Sequence, residues 1–426
     1  MTLVEASQRL APRDAVDWPP SWRTVPLWSL FERIKDVGHP DEEMLSVYRN
    51  YGVVKKSGRD DNANKTAEDR NIYQLVDDGW FVVNRMKAWQ GSVGISPHRG
   101  IVSGHYICFR PRHGEHSQFL NWLLRSDVYT YQYARLSRGV RPNQIEIDND
   151  GLRALPIRLP SLEEQRRIAD FLDIHVPRIS GVAAAKARQA RLIQERFDAA
   201  LVRALLPQET PPGWRISRLK YLVEFERNGV WGEAPSGSGD DDVICVRVAD
   251  FDRLTLRAGS AATTMRSVPR NQYSSRALRS GDILLEKSGG GDSSPVGFAV
   301  SFDGPARSVC SNFIAALRPV SSTDARYLAL LMAALYKARR NLPFIKQTTG
   351  IQNLDSSAYL SQKVWIPSKM EQVMIARGID RELVDLNKTL RILRLQQQLL
   401  HERQQALITA AVTGRIDVTM AQGVDV

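Results

Sequence analysis

Two stretches of this chain repeat each other at a constant offset of 207 residues, and that register constrains the fold more than any other feature. The run from Leu159 and Pro160 through Glu164, Gln165, Ile168 and Ala169 leads by way of Asp173 to Glu195 and Ala199. The run from Ile366 and Pro367 through Glu371, Gln372, Ile375 and Ala376 leads by way of Asp380 to Glu402 and Ala406, without a gap. A register held over some forty residues marks a duplicated unit, so the 426 residues are two copies of one module of about two hundred residues.

Composition narrows the class. No segment approaches the roughly 18 uncharged apolar residues of a membrane span, and Met1 to Leu10 lacks the basic start and apolar stretch of a signal peptide. Cys108, Cys245 and Cys310 are far apart and odd in number, which fits neither a disulfide framework nor a zinc spacing and points to a reducing, cytoplasmic location. The net charge of +11 is unevenly placed. Residues 85–158 carry 11 basic against 5 acidic residues and residues 266–346 carry 12 against 5, whereas residues 1–84 carry 11 against 14. The same part of each copy is basic, a bias compatible with nucleic-acid binding and not sufficient to prove it.

Each copy opens on a Trp-Arg pair, Trp22 and Arg23 in the first and Trp214 and Arg215 in the second. Short β-rich runs follow, Trp80 to Val83 and Asp282 to Leu285, then a helix expected from about Phe119 to Tyr133 and from about Ala325 to Arg340. Beyond Pro160 and Pro367 the sequence becomes charged and helix-favouring. In the first copy a short helix from Glu163 to about Ile174 is expected to end before Pro177, which would open a longer helix to about Leu206.

Leu386, Leu393, Leu400 and Leu407 recur every seven residues, with Leu383 and Leu390 three earlier, the pattern of a coiled-coil seam. The same register in the first copy puts Ile179, Lys186, Ile193 and Ala200 on one row and Val176, Ala183, Ala190 and Phe197 on the other. The leucine-rich seam needs a cover, and the other helix is the natural one, the alternative being that each helix covers only its own domain.

The chain lacks a phosphate-binding loop, a dinucleotide fingerprint, a zinc-protease motif and the tetrapeptide core of amino-methyltransferases, so no catalytic residue is assigned. Asp282, Glu286 and Lys287 loosely resemble a nuclease set, but the glutamate and lysine are adjacent and the first copy has no counterpart. His98, His105, His113 and His116 gather without a cysteine or carboxylate to complete a metal shell, and read as a surface loop.

Binding loops remain. Asn84, Arg85, Lys87, Trp89, Gln90 and Ser92 combine basic, amide and aromatic side chains beside glycines, and Lys287 and Ser288 stand at the matching place in the second copy. A second pair of polar loops follows the domain helices, with Arg138, Arg141 and Asn143 in the first copy and Lys346, Gln347, Thr349, Gln352 and Asn353 in the second. Such residues can bond base edges and phosphates, so all sixteen are candidate DNA contacts, while the first pair of loops could equally be structural hairpins.

On these residues the chain resembles the DNA specificity subunits of type I restriction-modification systems. The resemblance is carried by the segments Pro160 to Ala169 and Pro367 to Ala376, by the stretch Asn84 to Ser92, by Gly100 to Ser103, and by the ending Arg403 to Val418. It implies an α/β fold: two mixed α/β target-recognition domains separated by a long antiparallel two-helix coiled coil, as a pseudo-twofold internal repeat. The expected organisation is a loose leader (1–20), a first recognition domain (21–160), a first helical region (161–207), a second recognition domain (208–367), a second helical region (368–413) and a tail (414–426).

The resemblance also implies a non-catalytic subunit with no cofactor of its own. Double-stranded DNA, two methyltransferase subunits and restriction subunits would be its partners, with S-adenosylmethionine, ATP and Mg2+ on those partners. Gln165, Ile179, Ile193, Phe197, Gln372, Leu386, Leu393, Leu400 and Leu407 are the expected docking and coiled-coil residues. A 30-residue helix is about 45 Å long, or about 13 base pairs of duplex, so helix length would set the spacer between two half-sites. Close similarity in the helices beside divergent recognition domains implies an asymmetric site. A coiled-coil interaction scaffold that reads no DNA is the alternative.

Overall fold

The computed structural model describes residues 16–58, 69–139, 144–235, 237, 239, 241–348 and 350–418. The chain divides into one unit built from both ends, residues 1–185 and 396–426, and one continuous unit, residues 186–395. Among the described residues no helix is long and apolar enough to cross a membrane.

The first unit centres on a four-stranded antiparallel sheet in the order Phe31–Ile34, Tyr106–Pro111, Phe81–Asn84, Val93–Ile95. Phe31, Phe81 and Phe109 leave this sheet to meet helix α2 (Ser117–Arg125), whose Phe119, Leu120, Leu123 and Leu124 are buried on one side. Helix α1 (Leu27–Leu30) precedes the sheet, and α3 (Asp127–Leu136) and α4 (Asn149–Ala154) follow α2. The single helix expected from Phe119 to Tyr133 is thus two, divided at Ser126, whose hydroxyl turns back to the Leu123 carbonyl at 2.7 Å.

The second unit has a six-stranded sheet beginning Val223–Asn228, Ile314–Pro319, Ile283–Glu286, Ala299–Phe302, the same order of corresponding strands as in the first. Two short strands, Arg257–Ala258 and Phe251–Asp252, extend it. Helix α6 (Arg270–Arg276) is short, α7 (Ala325–Lys337) is buried over most of its length against the sheet, and α8 (Ser356–Leu360) precedes the last strand. The shared strand order was hidden by sequence divergence.

Two helices of 44 residues complete the chain, α5 (Leu162–Leu205) and α9 (Lys369–Val412), with 207 residues between both their first and their last residues. The strands that lead into them, Pro156–Leu159 and Lys363–Ile366, keep the same offset and pair antiparallel with the Trp-Arg strands Arg23–Pro26 and Arg215–Arg218.

The break expected before Pro177 does not occur, and α5 runs through it. A proline inside a helix costs roughly 3 kcal/mol, but Pro177 lies on the exposed side while Leu172, Val176 and Ile179 around it are buried, and their packing holds the helix together.

In the first unit Ile168, Leu172 and Val176 of α5 share a core with Ile408, Ala411 and Val412 of α9, and Ser180 donates to Gln404 at 3.4 Å. In the second unit Ile193, Phe197, Leu201 and Leu205 of α5 meet Leu383, Leu386 and Leu390 of α9. Both packings are antiparallel. The seam departs from a strict seven-residue repeat: Leu386 and Leu393 are buried, Leu400 and Leu407 are half-buried, and Ile408 is the buried residue of that turn. Leu201 likewise replaces Ala200, which is exposed, because 3.6 residues per turn drift against a period of 3.5.

The leader is not loose where it is described. Val16 and Trp18 pack on the first core beside Ile416 and Val418, and the Trp18 and Trp22 rings lie 5.8 Å apart.

Candidate nucleic-acid interface

Each helical region grips its α/β layer through one buried glutamine. The Gln165 carbonyl oxygen accepts from the His116 N–H at the start of α2 (3.0 Å), while its amide donates to the Pro160 carbonyl (3.1 Å). Gln372 repeats both bonds, accepting from the Asp324 N–H (2.8 Å) and donating to the Pro367 carbonyl (3.1 Å). Both glutamines are sealed from solvent and tie each long helix to its α/β layer, which leaves them no surface for the partner docking that the family resemblance implied.

About two turns further along each helix a carboxylate adds a second tie. Asp173 accepts from Gln118 (2.9 Å) and Trp122 (2.8 Å). Asp380 instead pairs with Arg326 (2.7 Å) and Arg257 (3.3 Å). Burial lowers the pKa of Arg326, which also donates to the Leu256 and Thr255 carbonyls.

On this footing the first unit carries a concave surface of about 890 Å3. Asn84, Arg85, Lys87, Gln90 and Ser92 line it together with Arg49, Lys56 and His105, and no carboxylate is among the described lining residues. The loop is braced from behind. The Asn84 carbonyl oxygen accepts from the Met86 and Lys87 N–H groups (3.1 Å each), and Trp89 is buried against Ala134 and Ile145, its indole N–H donating to the Met86 carbonyl (3.0 Å).

Gly91 closes the turn in the left-handed region at φ 87°, where an added Cβ would sit 3.0 Å from the Thr130 hydroxyl. Trp89 is therefore an anchor and not the DNA contact expected of it. Ser92 is buried too. Lys87 is exposed, and Arg85 is half-exposed and paired with Glu146 at 3.1 Å.

The two candidate loops of this copy meet. Arg138 pairs with Glu146 in a short hairpin, and the Ile147 N–H donates to the Arg85 carbonyl at 3.1 Å. Arg141 and Asn143 lie outside the described residues.

The second unit repeats the junction. Ser288–Gly289, Ile351–Leu354 and Ile345–Thr348 form one three-stranded sheet in which Ser288 and Lys346 both stand opposite Asn353, and the Leu354 N–H donates to the Lys287 carbonyl at 2.8 Å. Lys346, Gln347 and Asn353 are exposed, with Lys346 paired to Asp355 at 2.8 Å, and Lys287 donates to Asn228. Gln352 is buried and accepts from the Val296 N–H (3.3 Å), so it supports the sheet and offers no contact. Thr349 lies outside the described residues.

The sequence reading missed Arg49, Lys56, His105 and Asn228. They lie in or next to strands distant in sequence, and only pairing across the sheets brings them to these loops.

Catalytic alternatives fare poorly in this geometry. Asp282 is buried with both oxygens on Arg318 (2.8 and 2.7 Å), and burial pushes Glu286 up to about 6 despite Arg253 at 3.4 Å. His116 caps α2, and His113 packs edge-on against Phe31 with burial lowering its pKa. Among the described residues no group of three or more His, Cys, Asp or Glu side chains could hold a metal.

Residues 19–181 match the family model of the type I restriction modification DNA specificity domain. The chain is 23% identical over 389 residues to the type I restriction enzyme StySPI specificity subunit of Salmonella potsdam, covering 85% of this chain and 82% of that protein. A chain from a solved structure of a type I restriction-modification system superposes with a TM-score of 0.70 at 19% identity, over 94% of this chain and all of that one, and so shares its fold. Duplicated α/β layers, long repeated helices and a basic loop surface thus accompany a match of residues 19–181 to the type I restriction modification DNA specificity domain and a fold shared with a chain of a type I restriction-modification system.

Proposed function

We propose that this chain is the non-catalytic DNA-reading subunit of its complex, with each α/β unit reading one half of a split, asymmetric site. The repeated junction of two polar loops supports this reading above all. Ile147 bonds Arg85 and Leu354 bonds Lys287 in the same way, while the side chains around the two junctions differ. One architecture with two side-chain sets suits two different half-sites.

The helices α5 and α9 set the spacer and dock two methyltransferase subunits, which methylate adenine. With a restriction subunit the assembly would cleave unmodified DNA at the expense of ATP. The equal length and common register of the two helices suit two copies of one partner.

Co-expression with the neighbouring methyltransferase subunit in a host free of other adenine methylation, followed by long-read mapping, tests the proposal. The expected result is a single split motif with a fixed spacer. An active methyltransferase with no motif would favour the scaffold reading instead.

A further inference from the structure

We infer that His105 of the first unit and Phe313 of the second are base-contacting residues at one equivalent position of the two reading surfaces. This rests on the DNA-reading function proposed above. Neither residue belongs to the loops that sequence pattern singles out as DNA contacts.

Their equivalence is structural. Ser103, Gly104 and His105 lead into the strand Tyr106–Pro111, and Ser311, Asn312 and Phe313 lead into Ile314–Pro319. The turns are closed by the same bond, Tyr106 N–H to the Ser103 carbonyl (3.2 Å) and Ile314 N–H to the Ser311 carbonyl (3.0 Å). Each then receives the backbone of the cationic loop, Arg85 N–H onto the His105 carbonyl (3.0 Å) and Lys287 N–H onto the Phe313 carbonyl (2.8 Å). Two strands fasten each ring's backbone beside a candidate DNA contact.

The fold has no use for either ring. The next residue inward in the second unit, Ile314, is fully buried and fills the core, whereas Phe313 is 44% exposed. His105 is exposed and lines the basic cleft. An exposed phenyl group beside Lys287 and Ser288 suits a duplex, where it can pack on a thymine methyl or enter a base step. An imidazole at the same place offers hydrogen bonds to a base edge. The difference between the rings is a difference in what each half-site must present.

The test is adenine-methylation mapping with the complex of this chain and its methyltransferase subunit, comparing wild type with Phe313→Ala, His105→Ala and Phe313→His. Phe313→Ala should relax preference at a position of one half-site, with about tenfold loss of discrimination there, and His105→Ala should do so in the other half-site only. Phe313→His keeps a ring on the same turn and should change the preferred base. Unfolding midpoints within the error of wild type are expected, since both side chains are exposed.

Motifs identical to wild type in all three variants would overturn the inference. So would loss of the methyltransferase subunit on co-purification of Phe313→Ala, which would make the ring a protein contact. A wild-type complex with no motif would instead sink the DNA-reading function, and this inference with it.

Discussion

The side chain of Gln372 accepts the Asp324 N–H at 2.8 Å, tying α9 to the first residue of the α7 cap from a fully buried position. Gln372→Leu would strand that donor and the Pro367 carbonyl, both satisfied by the amide. A loss of about 1–3 kcal/mol is expected, read as a lower denaturant midpoint, and Gln165→Leu should act alike. An unchanged midpoint would show that the glutamine is not the clasp.

Asp380 and Asp173 occupy equivalent positions with different partners, so their removal should differ in cost. Asp380→Ala leaves Arg326 charged and largely buried, and should destabilise by about 2–4 kcal/mol. Asp173→Ala loses two neutral donors near the surface and should cost about 1 kcal/mol. Equal losses on chemical unfolding would contradict the assignment of Arg326 as the buried charge.

Glu286 is an acid whose folded-state pKa is raised to about 6 by burial. The folded form therefore holds its proton more tightly than the unfolded chain does. Its contribution to stability is fully present below about pH 4.5 and is lost as pH rises through 6. Glu286→Gln should accordingly gain about 1–2 kcal/mol over wild type at pH 8 and nothing at pH 4. A pH-independent difference between the two unfolding curves would reject this.

The Asn84 to Ser92 loop separates binding from support. Lys87→Ala should leave thermal stability within about 0.5 kcal/mol of wild type while making log K for cognate DNA less steep in log salt by about 0.9. Trp89→Ala should cost about 3–5 kcal/mol, because it empties a buried site. Loss of binding in both variants with no loss of stability in Trp89→Ala would place the indole on the DNA after all.

The register between Gln165 and Gln372, carried to Glu195 and Glu402, was enough to reveal two modules, their helical regions and the row of leucines on the second of them, because helical periodicity is local and repeats are visible as strings. Pro177 misled, since a local rule says a helix stops there while burial of Leu172, Val176 and Ile179 on the opposite side carries it through. Trp89 and Gln352 misled in another way. Their types suit DNA contact, and only packing could show them turned inward.

The sequence by itself thus determined the duplication, the helical regions and the basic loops, all of which depend on neighbours in the chain or on repetition. Tertiary structure alone decided that corresponding strands share one order and that two separate loops meet at Arg85 and Ile147 and again at Lys287 and Leu354. Strand pairing joins residues far apart in sequence through backbone groups common to every residue type. Side-chain identity therefore leaves no trace of it to read.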